Sequence, residues 1–176
     1  LNKDILILAK SSFMRLYQLH SKQCLPISQK RAWDFLSSPA NLATITPDHM
    51  GFNILSGSDR PMFPGQIIQY KVSPFPFYST KWVTEITHVK EGEYFVDEQR
   101  FGPYSLWHHK HFIKPIEDGV EMEDIIDYKL PFGILGQLAH PILIKKQLQQ
   151  IFSYREEKLI ELFGTLENSP RILQFK

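Results

Sequence analysis

The sequence predicts an α+β domain in which a seven-stranded antiparallel sheet curves around one long C-terminal helix. The helix is expected from Pro141–Phe163, where Ile142, Leu148, Ile151, Phe152, Leu159, Leu162 and Phe163 recur at steps of three, four and seven. Lys145, Lys146, Glu156, Glu157, Lys158 and Glu161 fall mostly elsewhere on the wheel, so one face is apolar and the other wet. At about 1.5 Å per residue this helix would run roughly 35 Å, and it needs a broad surface to lie on. Alternating, strand-length segments before it supply that surface, and two short helix signals follow the first strand.

Residues 1–11 read as an N-terminal extension and 12–164 as a single domain. The first strand is expected over Ser12–Leu25, with Phe13, Arg15, Tyr17, Leu19 and Ser21 on one side and Met14, Leu16, Gln18 and His20 on the other. Pro26 ends it. Ser28 is a candidate N-cap for a short helix that buries Ala32, Trp33, Phe35 and Leu36, and Ser38-Pro39 starts a second, over about Pro39–Ile45. Strands are then expected at Phe52–Ser56, Gln66–Ser73, Lys81–Val89, Tyr94–Phe101, Tyr104–Lys114 and Val120–Lys129. The last is the clearest: Glu121, Glu123, Asp127 and Lys129 must face water, which sends Val120, Met122, Asp124, Ile126 and Tyr128 inward. Pro131-Phe132-Gly133 breaks the sheet, and Ile134–His140 adds a turn or two of helix. Pro141 either kinks that helix or starts the long one afresh. Residues 165–176 are polar and read as a tail, from which Ile172, Leu173 and Phe175 could dock.

Charge excludes some function classes. With 20 basic against 19 acidic residues and a net charge of +1, no strong overall field draws the chain to nucleic acid or acidic lipid. A lone cysteine, Cys24, allows no intramolecular disulfide and points to a reducing compartment, so cytoplasm is the expected location. The short apolar run Ile5–Ala9 lacks the flanks of a signal peptide. No stretch approaches the roughly 20 apolar residues of a membrane span, so stable membrane insertion is not expected.

Two groups of residues carry a family resemblance. Leu25-Pro26-Ile27-Ser28, Ala32-Trp33-Asp34-Phe35, Pro39, Asn41-Leu42 and Ile45-Thr46-Pro47 make a strand-to-helix-pair passage. Tyr128-Lys129-Leu130-Pro131-Phe132-Gly133 with Leu135-Gly136 leads into the C-terminal helix. Together they resemble the START-like, or SRPBCC, superfamily of birch-pollen-allergen-like proteins, polyketide cyclases and lipid-transfer domains, over about Phe13 to Phe163. The resemblance implies a helix-grip fold with a deep hydrophobic cavity between sheet and helix, holding a lipid, polyketide, sterol or other apolar molecule. Members include carriers, sensors and a minority of enzymes, so the fold leaves the activity open.

Candidate chemistry centres on Trp107-His108-His109-Lys110-His111-Phe112. On a strand, His109 and His111 share a face about 6.8 Å apart, and Asp124 on the next strand also points inward. Two histidines and a carboxylate could hold a divalent ion or move protons. Mutual hydrogen bonding is the stronger expectation, and no metal or cofactor is predicted. Asp97 and Gln99 share a face with Phe95 and Phe101; if that face is concave, they would orient a mostly apolar ligand. The other register would instead bury Glu98 and Arg100. Tyr70, Trp82, Trp107 and Tyr128 complete the candidate lining, as ligand contacts or as plain core. The Pro74–Tyr78 loop carries aromatic side chains between prolines and reads as a lid, a partner surface or a turn folded onto the sheet.

The expected function is binding or carriage of an apolar or amphipathic small molecule. One rival is a cyclase- or hydratase-type enzyme using His109, His111 and Asp124. The other is a regulatory interaction module whose protein partner the sequence does not name.

Overall fold

Alternation of large apolar and polar residues builds the sheet, and its turns fall where glycine, proline and acidic residues cluster. A computed structural model describes residues 15–75, 78–167 and 169–176. The start of the strand expected from Ser12, the Ile5–Ala9 run and the centre of the Pro74–Tyr78 loop lie outside the described residues. The elements are β1 (Tyr17–Leu25), α1 (Gln29–Leu36), α2 (Pro39–Leu42), a 3-10 turn (Asp48–Met50), β2 (Asn53–Ser56), β3 (Gln66–Phe75), β4 (Tyr78–Lys90), β5 (Tyr94–Phe101), β6 (Leu106–Ile116), β7 (Gly119–Lys129), α3 (Gly133–Ala139), a π turn (His140–Ile144), α4 (Lys145–Phe163) and β8 (Ile172–Phe175). All sheet pairings are antiparallel, in the order β2-β3-β4-β5-β6-β7-β1-β8. Among the described residues no helix is long and apolar enough to cross a membrane.

The sheet therefore has eight strands instead of the seven expected. The extra one comes from residues read as a tail: β8 pairs with β1, Leu19 opposite Phe175 and Lys22 opposite Ile172. The polar composition around it hides a four-residue strand, and an otherwise open sheet edge gives that strand its partner.

β7 alternates as expected, with Val120, Met122, Asp124, Ile126 and Tyr128 all buried. β6 presents Trp107, His109, His111 and Ile113 to the same interior. A bulge between Ile86 and His88 in the β4–β5 pairing turns His88 out and brings Val89 back against the core. β5 takes the register that puts Phe95, Asp97 and Gln99 on the concave side. Phe101, of the same parity, has run past the core and is 73% exposed.

The helices follow their caps. The amide of Arg31 donates to Ser28 Oγ at 3.2 Å and starts α1, whose Ala32 and Trp33 are buried. Pro141 neither ends α3 nor begins a fresh helix; it sits in a π turn through which the chain runs on into α4. A proline has no N–H to donate, and the wider turn absorbs that loss. The turn also takes its own residues off the stripe of α4, so Ile142 is 71% exposed, against the sequence expectation. Leu162 is exposed as well, because Phe163 is the residue of the last turn that meets Phe35 of α1, edge to face at 5.0 Å. The face that α4 buries is Leu148, Phe152, Arg155 and Leu159, at helical spacing.

One glycine is indispensable to the sheet. Gly57, after β2, has φ +88, and a Cβ there would stand 2.1 Å from Ile67 O. Gln66 locks the same turn by donating from Nε2 to Gly57 O at 2.8 Å. Gly57→Ala is expected to cost about 2 kcal/mol or more, from a left-handed backbone and a clash that cannot relax sideways. Denaturant midpoints of the two proteins check this.

Candidate functional site

α4 covers the β1–β7 side of the concave face. On the other side β3, β4 and β5 arch over a space roofed by α1, α2 and the 3-10 turn. Between them lies a cavity of about 230 Å³. A void of about 10–15 Å³ holds one water, so this space is on the scale of an organic molecule. Ile68, Val72, Ile86, Leu42, Leu148 and Ile151 make much of its wall. Trp82, Tyr104 and Trp107 form an aromatic corner, with the two indoles edge to face at 5.3 Å.

The charged groups of the cavity gather at one wall. His109 and His111 project from β6, Asp97 reaches across from β5, Asp124 stands behind on β7, and Arg155 comes down from α4. His109 Nε2 is 3.0 Å from Asp124 Oδ1, and His111 Nε2 is 2.8 Å from Asp97 Oδ2. His111 Nδ1 also lies 2.8 Å from Asp124 Oδ1, but out of line for a hydrogen bond, so that contact is electrostatic. Arg155 Nη2 is 3.4 Å from Asp124 Oδ1, and its Nε meets no acceptor. Phe95 stacks on the His111 ring at 4.0 Å.

Burial disfavours the ionised form of Asp124, but the Arg155 charge and the two imidazoles outweigh it and hold its carboxyl well below the ordinary range. Burial opposes the Asp97 carboxylate too; the hydrogen bond from His111 and the charges of both histidines lower its pKa nonetheless. His111 resists its own desolvation because two carboxylates face it, and its pKa is raised. His109 goes the other way: burial first, then the His111 charge, push it down to about 4. The site thus favours the ionised form of both carboxylates beside the Arg155 guanidinium, the protonated form of His111 and the neutral form of His109.

Asp97, His109 and His111 each offer a ligand atom, all within 4.8 Å of one another. The two imidazoles lie against each other, centroids 3.7 Å and planes 36° apart, and each Nε2 already meets a carboxylate oxygen, at 3.0 Å for His109 and 2.8 Å for His111. That geometry suits hydrogen bonding and proton sharing better than coordination.

Of the residues singled out in the sequence, Tyr70, Trp82, Phe95 and Asp97 line the cavity, as do Trp107, His109 and His111. Asp124 does not; it backs the histidines from the far side. Gln99 is committed elsewhere, since its amide donates to Tyr104 O at 2.7 Å and accepts from Tyr104 N at 3.2 Å, closing the β5–β6 turn. Tyr128 is core, with its hydroxyl 2.7 Å from His140 Nε2 and its ring near Tyr17. The side chains of residues 74–77 are outside the described residues.

Sequence reasoning missed Arg155 and His140, both buried. For Arg155 a signal exists: it stands seven residues after Leu148 and four before Leu159, on the buried stripe, where a cation requires an inward carboxylate.

No family model matches the chain, and no curated protein does. Solved structures match over most of its length. CV1439 from Chromobacterium violaceum aligns with a TM-score of 0.64 and 13% identity, over 85% of this chain and 99% of its own. A Thalictrum norcoclaurine synthase mutant in complex with a transition-state analogue aligns at 0.59 and 12%, over 84% and 96%. Ara h 8.0201 aligns at 0.54 and 11%, over 84% and 99%. Identity this low speaks for architecture alone, and the architecture agrees with the one that the Leu25–Pro47 and Tyr128–Gly136 resemblance implies: the chain has a helix-grip fold.

Proposed function

We propose that the protein binds a mostly apolar, amphipathic small molecule in the cavity between sheet and α4, with the molecule's polar group turned to the Asp97–His111 wall. The observation that carries this reading is a cavity of about 230 Å³ with aliphatic and aromatic walls and all of its charged side chains at one end. Such a division orients a ligand: apolar surface supplies affinity and a few polar groups fix the direction. A structural neighbour that holds a transition-state analogue supports the cavity as a place for a bound molecule, by analogy of fold.

Binding is favoured over proton-transfer catalysis by the state of the histidines. Each Nε2 is already engaged by a carboxylate, His109 by Asp124 at 3.0 Å and His111 by Asp97 at 2.8 Å, and His109 is pushed down to about 4, away from the working pH that suits a base. Titration with the amphipathic fluorophore anilinonaphthalene sulfonate, followed through its emission, tests the reading. Thr84→Phe, which fills the cavity from β4, is expected to weaken binding by roughly tenfold or more with the fold retained. Unchanged affinity in that variant would place the fluorophore elsewhere and count against the proposal.

A further inference from the structure

The segment joining β7 to α4 is an exposed apolar surface with basic flanks. Phe132 is 82% exposed, Leu135 73%, Leu138 66% and Ile142 71%. The last three follow one another at helical steps of three and four across α3 and the π turn. The opposite side of α3 is closed by its own chain: a Cβ at Gly136 would meet Pro131 O at 2.1 Å. The large side chains therefore face outward for want of any place inside. Single exposed apolar residues are ordinary on a protein surface, but a contiguous ridge of them marks a contact.

Charge indicates what kind of contact. From Tyr128 through Arg155 there is no Asp or Glu, while Lys129, Lys145 and Lys146 flank the ridge. Lys145 and Lys146 are exposed on the turn that follows it. Arg15 joins them, since both Arg15 and Lys145 are close enough to His140 to lower its pKa, after the effect of burial. Asp127, the nearest acid before the segment, is already engaged by Lys110 Nζ at 2.7 Å and Gln18 Nε2 at 2.8 Å. A protruding apolar ridge inside an uncompensated cationic rim is complementary to the headgroup region of an anionic bilayer: apolar side chains enter the acyl boundary and lysines stay with the phosphates.

We infer that α3 and the π turn, Gly133–Ile144, form a docking surface by which the protein rests reversibly on an anionic phospholipid membrane. The surface is continuous with the ligand site, because Ile144 at its end lines the cavity, as do Gln147 and Leu148 one turn further on. A protein seated this way holds one wall of its cavity against the lipid, where an apolar molecule could pass between the two.

Cosedimentation of the full chain with phosphatidylcholine–phosphatidylglycerol vesicles, against vesicles of phosphatidylcholine alone, tests the inference. Binding is expected to the mixed vesicles and to fall as salt is raised. Leu135→Ser with Ile142→Ser is expected to reduce partitioning roughly tenfold or more, as is Lys145→Glu with Lys146→Glu. None of these four residues lines the cavity, so fluorophore binding remains as in the parent protein, and an unchanged near-ultraviolet circular dichroism spectrum reports that both variants are folded. No binding to mixed vesicles overturns the inference. So does binding that survives both double substitutions, which would assign it to another part of the chain. A self-association abolished by Leu135→Ser with Ile142→Ser, in a protein that ignores vesicles, also overturns it and assigns the ridge to a second copy.

Discussion

Arg155→Met is expected to destabilise the protein by roughly 3–5 kcal/mol, the cost of stranding a buried charge. Arg155 and Asp124 are each less than a tenth exposed, and the guanidinium heads the influences that keep the Asp124 carboxylate ionised against its own desolvation. Methionine fills much of the arginine's volume and keeps its aliphatic contact with Phe152, over which the guanidinium now lies at 5.8 Å. What is lost is the charge. Asp124→Asn in the same protein removes the carboxylate that needed it, so the double variant is expected to recover a substantial part of the loss. Urea denaturation of the parent, both single variants and the double variant closes the cycle. A single-variant cost below about 1 kcal/mol, or additive losses, would mean that the pair is already solvated and that the buried network is not what ties α4 to the sheet.

Most of the frame was legible because the sheet has one dry face. Period-two alternation in β6 and β7 places His109, His111, Asp124 and Tyr128 inward, and the cost of burying Glu98 with Arg100 leans toward the register that β5 takes. The errors share a cause: each depends on what one element meets from another. Alternation says that His111 and Asp97 point inward, but only the pairing of β5 with β6 brings Nε2 and Oδ2 to 2.8 Å. Gln99 has the parity of a ligand contact and is diverted by a local turn. Tyr128 has the same parity and is taken up by His140. The α4 stripe was read as a set of apolar residues, and Arg155 was invisible to that rule because its place on the stripe makes sense only with Asp124 opposite. Likewise β8 is four residues of ordinary propensity that become a strand because β1 has an open edge.

The network has a logic that the apolar cavity does not need for packing. Two carboxylates beside one arginine would leave an uncompensated negative charge in a dry wall, and His111 can carry the missing positive charge. The arrangement keeps a polar pole ionised yet close to neutral in sum, which lets an apolar ligand lie against it without trapping bare charge. Its weakness is that the balance depends on which imidazole holds a proton.

Acidification is therefore expected to destabilise the protein between about pH 6.5 and about pH 4, before the carboxylates titrate. The folded-state pKa of His109 is pushed down to about 4 from an unfolded value near 6.5, so across that window the unfolded chain binds a proton that the folded chain refuses. Stability is lost as pH falls, by an amount on the order of 3 kcal/mol over the whole window. His140, lowered mainly by burial, contributes with the same sign. His111 does not oppose this fall: its folded pKa is raised, so its contribution is complete below the unfolded value and is lost only as pH rises through the folded one. Asp97 and Asp124, both depressed, lose their contributions as pH falls below the ordinary carboxylate range. Denaturation midpoints across a pH series should thus peak near neutrality and slope down on both sides. His109→Gln cannot titrate but can still donate to Asp124, and it is expected to flatten the limb between about pH 6.5 and about pH 4 while leaving the alkaline limb in place. A parent protein whose midpoint is level from neutrality to about pH 5 would show that water reaches His109 and that the wall is not dry.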